Sequence, residues 1–141
     1  GASASVLMDS KLAEQKGVEP LGAYRGVAVA GLEPDEMGIG PIYAVPKLLQ
    51  RFNLSIDDIG LWELNEAFAV VVLRYMDYMG IDHSDINLNG GAIAMGHPLG
   101  ATGAMILGTV LDELERSNKS TALATLCVGG GMGTATVIER I

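Results

Sequence analysis

Three side chains stand where an apolar run gives way to loop, and each could take part in chemistry. Asn65 sits at the junction of Leu61–Leu64 with the segment that follows. His97 lies inside Gly90-Gly91-Ala92-Ile93-Ala94-Met95-Gly96-His97-Pro98-Leu99-Gly100-Ala101-Thr102-Gly103. Cys127 is followed at once by Val128-Gly129-Gly130-Gly131. In α/β sheets, sites are built where strands end and loops begin. An imidazole among small neighbours, with Pro98 fixing the backbone beside it, can exchange protons near neutral pH; the same residue could equally be a histidine packed in a tight turn. Cys127 could be a small buried hydrophobe at a strand end. Gly129, Gly130 and Gly131 open a second reading. They reach backbone angles closed to other residues and can aim N–H groups at a negative oxygen, leaving a thiol beside them free to act as nucleophile or acid/base. His83, set among Asp82, Ser84 and Asp85, reads as surface loop without a role.

Other glycine-rich chemistries fail on spacing. Gly96, Gly100 and Gly103 do not form G-x-G-x-x-G. The run from Gly91 to Gly96 has phosphate-loop spacing, but His97-Pro98 follows where Lys-Ser/Thr is needed. One cysteine and two scattered histidines do not make a structural zinc site, and no G-x-S-x-G elbow is present.

These groups need a scaffold, and the chain has the size for one: 141 residues, 49% hydrophobic and 18% charged, read as one globular domain. A net charge of −8 argues against a nucleic-acid partner, which normally meets a basic face. No apolar run reaches bilayer-spanning length. The start, Gly1-Ala-Ser-Ala-Ser-Val-Leu-Met, has no signal-peptide pattern, and the absent Met start points to a cut piece of a longer chain. A lone Cys127 suits a reducing compartment.

The pattern predicts alternating elements. Ala2–Asp9 reads as a strand, then a helix over Ser10–Lys16 stopping at Gly17, and a strand over Tyr24–Ala30. After a turn at Gly38–Pro41, Val45, Leu48, Leu49 and Phe52 form a helical stripe, with Pro46 casting its first turn into question. Ser55–Asp58 resembles a capping box, and Leu61–Leu64 a short strand. Phe68, Val71, Val72, Tyr75 and Met79 share a helix face ended by Gly80. Asn87–Asn89 is a further short-strand candidate. Leu107, Val110, Leu111 and Leu114 form a third stripe, and strands over Thr121–Leu126 and Thr134–Ile141 close the chain. The sum is an α/β layered domain.

Taken together, three segments resemble the thiolase family. Asn65-Glu66-Ala67-Phe68-Ala69 is similar to its NEAF segment, Asn89 to Gly103 to NGGAIAxGHPxGxxG, and Cys127 to Gly133 to CxGGGxG. The opening Gly1-Ala2-Ser3-Ala4 and the Met37–Pro41 turn also fit, so the resemblance spans the chain. It implies a thiolase-like fold, a mixed β-sheet with helices on its faces, and covers only the C-terminal half of a duplicated chain. The N-terminal half, with the nucleophilic cysteine and most of the coenzyme A loop, has no match in residues 1–141.

The resemblance implies roles. His97 would take the proton of the nucleophilic thiol and then help to hold the thioester oxygen, with Asn65 orienting a water onto the same oxygen. Cys127 would be the general acid/base, and the Gly129 N–H would serve a second oxyanion hole. Ala67, Phe68 and Met37 would line the pantetheine pocket; Glu66 follows the motif without an assigned chemical role, and a structural hydrogen bond is an equal reading. The implied activity is cleavage of 3-oxoacyl-CoA by CoA, with acyl-CoA and CoA as substrates, no resident cofactor and no metal. The implied partner is the N-terminal half, in a cytoplasmic homo-oligomer. Residues 1–141 alone would be inactive. The alternatives are a biosynthetic acetyl-CoA acetyltransferase and a non-catalytic scaffold domain; the CxGGG cysteine argues against a ketosynthase-type condensing enzyme.

Overall fold

The computed structural model describes residues 1–141. Four strands form one sheet in the order β1 (Ala23–Gly31), β4 (Met132–Glu139), β3 (Thr121–Val128), β2 (Leu61–Leu64). The β1–β4 and β4–β3 pairs are antiparallel, and β2 runs parallel to β3, with Leu64 opposite Thr125. Helix α1 (Ser10–Lys16) precedes the sheet. Helices α2 (Gly40–Phe52) and α3 (Ala69–Met79) pack on one face and α5 (Thr102–Ser117) on the other, while α4 (Ala92–Met95) is a single turn in the glycine-rich loop.

The helical stripes explain the layers. Val45, Leu48 and Leu49 of α2 and Val71, Val72, Tyr75 and Met79 of α3 are buried in one core with Trp62, Leu64, Leu123 and Val137 of the sheet. Each such aliphatic side chain stabilises by roughly 1.5–3 kcal/mol. Trp62 and Tyr75 meet edge-on, with ring centroids 6.3 Å apart. A smaller core of Leu61, Val110, Leu114, Ala122 and Ile138 lies under α5. Helix α2 runs through Pro46 rather than starting after it. Its burial against the sheet outweighs the one hydrogen bond that Pro46 cannot donate.

Three other expectations are corrected. Ala2–Asp9 is not a strand: these residues are exposed and pair with none of the four strands, and small residues without a ladder partner have nothing to hold them extended. Asn87–Asn89 is not one either. A single bridge joins Trp62 to Ile86, and Asn87 then turns left-handed at φ 51°. Phe68 does not begin the core stripe. It is the extended residue before α3 and is 59% exposed, because the helical phase starts at Ala69.

Strand β1 is the sheet's outer edge. From α2, Lys47 Nζ donates to the Val29 carbonyl at 2.8 Å and Arg51 Nη1 to that of Val27 at 3.2 Å. No helix is long and apolar enough to cross a membrane.

Candidate active site

The parallel pairing of β2 with β3 brings the first group to the third. Beyond Leu64, the Asn65 N–H still donates to the Thr125 carbonyl at 3.0 Å, and Cys127 lies two residues further along β3. Asn65 and Cys127 therefore share the carboxyl end of the sheet. They approach it from different faces. Alternation along β3 puts Cys127 with Leu123 and Thr125 on the α2–α3 face, opposite Gly133 of β4, whereas Asn65 lines a cleft of about 60 Å³ on the α5 side with Glu63, Gly96 and Thr102.

His97 joins Asn65 directly, with Asn65 Nδ2 3.4 Å from His97 Nε2. Its other nitrogen, Nδ1, is 2.7 Å from Thr102 Oγ1, which in turn lies 3.1 Å from the Pro98 carbonyl. Asn65 is buried, and its Oδ1 has no hydrogen-bond partner. Cys127 takes no part in this chain of contacts. It is buried at the end of β3, and burial pushes its thiol pKa up. Such a group stays protonated at neutral pH and suits proton donation better than unaided attack.

After Cys127, Gly130 and Gly131 adopt φ 86° and 81°; Gly129 does not. At Gly131 an added Cβ would stand 2.2 Å from the Leu32 carbonyl oxygen, so the position requires glycine twice over. The exposed Gly129 N–H has no backbone acceptor within the chain. A free donor two residues beyond a buried thiol can hold a developing negative oxygen.

A polar scaffold ties Asn65 to the His97 loop. Asn87 copies a neighbouring strand with its side chain: Oδ1 accepts from Leu64 N–H at 2.8 Å, and Nδ2 donates to the Leu64 carbonyl at 2.9 Å and to Glu66 Oε1 at 2.8 Å. Glu66 Oε2 accepts from the Ile93 N–H at 3.1 Å, and a Cβ at Gly91 would strike this carboxylate. Glu66 is thus a structural latch. Sequence reasoning missed Asn87 and Thr102. Asn87 had a signal in its type, since asparagine tolerates a left-handed turn; Thr102, five residues after His97 at the start of α5, sits one helical turn beyond Pro98.

Sequence reasoning also missed Glu63. It is buried on the α5 side of β2, and burial first, then the charges of Glu66 and Glu113, raise its pKa to about 7. Glu113 itself is held low, chiefly by the Asn89 amide and further by Arg116.

Of the pocket candidates, Ala67 is half-buried and donates its N–H to the Asn65 carbonyl at 3.0 Å, Phe68 is exposed beside it, and Met37 is half-buried in a turn before α2. None of the three lines the Asn65 cleft. His83 is exposed in a one-turn loop.

The profile described as "Thiolase, C-terminal domain" matches residues 18–140. The chain is 47% identical to a 3-ketoacyl-CoA thiolase of Bacillus subtilis over 139 residues, 99% of this chain and 36% of that protein. It is 48% identical to an acetyl-CoA acetyltransferase of Rhizobium meliloti over 141 residues, 100% of this chain and 36% of that one. Among solved structures, it matches Bacillus anthracis acetyl-CoA acetyltransferase with a TM-score of 0.92 and 41% identity, covering 95% of this chain and 34% of that one. Human mitochondrial 3-ketoacyl-CoA thiolase matches with a TM-score of 0.91 and 39% identity, covering 94% and 33%. The chain therefore spans about a third of the length of these relatives. With the profile covering most of its residues, it belongs to the thiolase family, as that family's C-terminal domain.

Proposed function

We propose that this chain supplies the proton-transfer half of a thiolase active site, completed by a nucleophilic cysteine from outside these 141 residues. The observation that carries this reading is the Asn65–His97 contact at 3.4 Å, at the same sheet end as a buried Cys127 whose thiol burial keeps protonated. His97 Nε2 accepts the proton of the nucleophilic thiol, and the thiolate attacks the C3 carbonyl of a 3-oxoacyl-CoA. The C2–C3 bond breaks. Its electron pair goes to C2, which takes the Cys127 proton, and acetyl-CoA leaves. The Cys127 thiolate then takes the thiol proton of a second CoA, whose sulfur attacks the acyl-cysteine; the shortened acyl-CoA leaves, and both the nucleophilic thiolate and the Cys127 thiol are restored. His97, with a water oriented by Asn65, serves the thioester oxygen of the departing acetyl-CoA, and the free Gly129 N–H, with the N–H of the nucleophile, serves the oxygen on C3. Half-buried Ala67 and exposed Phe68, just ahead of α3, and Met37 line the way in for pantetheine. Coenzyme A enters as substrate, and no metal or resident cofactor takes part.

The complete enzyme is a homo-oligomer working in a reducing compartment, the cytoplasm, where Cys127 stays a free thiol. Residues 1–141 alone do not turn over, because their one cysteine is the acid rather than the nucleophile.

One variant of the complete enzyme tests these roles. Cys127→Ser should keep acylation by acetyl-CoA yet lose roughly two to four orders of magnitude in condensation, the range of general acid–base catalysis. Acylation lost first in that variant would make Cys127 the nucleophile and reverse the assignment. Relatives carrying acetyl-CoA acetyltransferase names favour a second reading, in which the enzyme condenses two acetyl-CoA molecules. A preference for acetoacetyl-CoA over long 3-oxoacyl-CoA would select it over the degradative direction proposed first.

A further inference from the structure

We propose that Thr102 is a positioning residue that fixes the tautomer of His97, keeping the ring proton on Nδ1 and the lone pair on Nε2. The proposal rests on the reading of His97 as the base. It follows from counting protons along one short chain of contacts. The Pro98 carbonyl accepts from the Ala101 N–H at 2.7 Å, from the Thr102 N–H at 3.0 Å and, at 3.1 Å, from the Thr102 hydroxyl, which places its single proton there. Thr102 Oγ1 is then left with lone pairs toward His97, and the 2.7 Å contact must be made by an Nδ1–H donor. A neutral imidazole carrying its proton there has a bare Nε2.

The far side of the ring agrees. Asn65 presents Nδ2, a donor, to Nε2 at 3.4 Å, which is the partner a lone pair accepts. Both ends of the imidazole are thus matched to one tautomer, the one able to receive a proton at Nε2. Thr102 is buried, at 3% exposure, and sits in the first turn of α5, so its hydroxyl has little freedom to point elsewhere. When Nε2 takes up a proton, Nδ1–H stays bonded to Thr102, and the positive ring keeps one satisfied donor. Holding a histidine by its second nitrogen is how an imidazole is aimed and its tautomer set.

The test uses the complete enzyme with ¹⁵N-labelled histidine, His97 being assigned by the signal missing from His97→Asn. At pH 8.5, where free imidazole is neutral, Nε2 should resonate as an unprotonated nitrogen and Nδ1 as a protonated one. The opposite pattern overturns the proposal. In parallel, alkylation of the nucleophilic thiol by iodoacetamide is followed across pH. Thr102→Val should slow it about 10- to 100-fold at neutral pH, within the reach of acid–base effects, and shift the nitrogen pattern toward the other tautomer; Thr102→Ser should stay within about threefold. Unchanged alkylation in Thr102→Val also overturns the proposal. Should the valine variant not fold, the nitrogen pattern of the unsubstituted enzyme decides alone. If His97→Asn alkylates at the normal rate, the base assignment itself has failed; if it is dead while Thr102→Val is normal, Thr102 alone has.

Discussion

The two arms of the candidate site reach the same end of the sheet by different physics. On the Asn65–His97 side, every reactive group is tied by side-chain hydrogen bonds: Asn87 to Leu64 and Glu66, Glu66 to the α4 turn, Thr102 to His97. On the Cys127 side there is no such network. The thiol rides on a strand flanked by β2 and β4, and a turn shaped by glycine follows it. The contrast matches what each group has to do. A base needs a defined tautomer and direction, which hydrogen bonds supply; an acid needs a raised pKa and open space, which burial and missing side chains supply.

If that division is right, the two arms should fail differently. The Cys127 arm should break on adding an atom. Gly131→Ala forces a Cβ against the Leu32 carbonyl at a positive φ, and we expect a loss on the order of 4 kcal/mol in denaturant unfolding; a loss below 1 kcal/mol would mean that the turn is not sterically set. The Asn65 arm should break on removing a side-chain amide. Asn87→Ala strands the buried Leu64 N–H and carbonyl and one Glu66 oxygen, and should cost about 3 kcal/mol by the same measurement.

Glu63 sharpens the comparison through pH. Its pKa is raised from 4.5 to about 7, so the folded chain holds this proton more tightly than the unfolded one. The stability it supports is complete below pH 4.5 and is lost as pH rises through about 7. Glu63→Gln, which keeps the uncharged shape, should leave melting unchanged near pH 4 and gain on the order of 2 kcal/mol near pH 8. An equal gain at both pH values would exclude the buried carboxyl as its source. The smallest effect is expected from Glu66→Gln. Its amide nitrogen must face either the Asn87 or the Ile93 donor, for about 1 kcal/mol in unfolding.

Much of this was legible in the sequence because it depends on periodicity and residue type. The stripes of α2, α3 and α5, the stops at Gly17 and Gly80, and the closing hairpin follow from spacing alone. Asn65, His97 and Cys127 stood out as polar groups at the ends of apolar runs. What the sequence hid depends on partners. Ala2–Asp9 has strand-like composition and no strand to pair with. Phe68 fits a helical phase that begins one residue too late for it. Asn87 looked like part of a strand because it replaces one with its side chain. Glu63, one charge in an apolar run, reveals its burial only when α5 closes over it.

The cations along β1 have a consequence for how this chain behaves in company. An edge strand with bare carbonyls is a template for pairing with any extended segment nearby. Lys47 and Arg51 occupy the carbonyls of Val29 and Val27, so the rim offers charge where a growing fibril would need free acceptors. Val27 and Val29 can thus keep β-forming side chains without making the sheet adhesive, and chemical neutralisation of those two cations would turn a guarded border into a seed for aggregation.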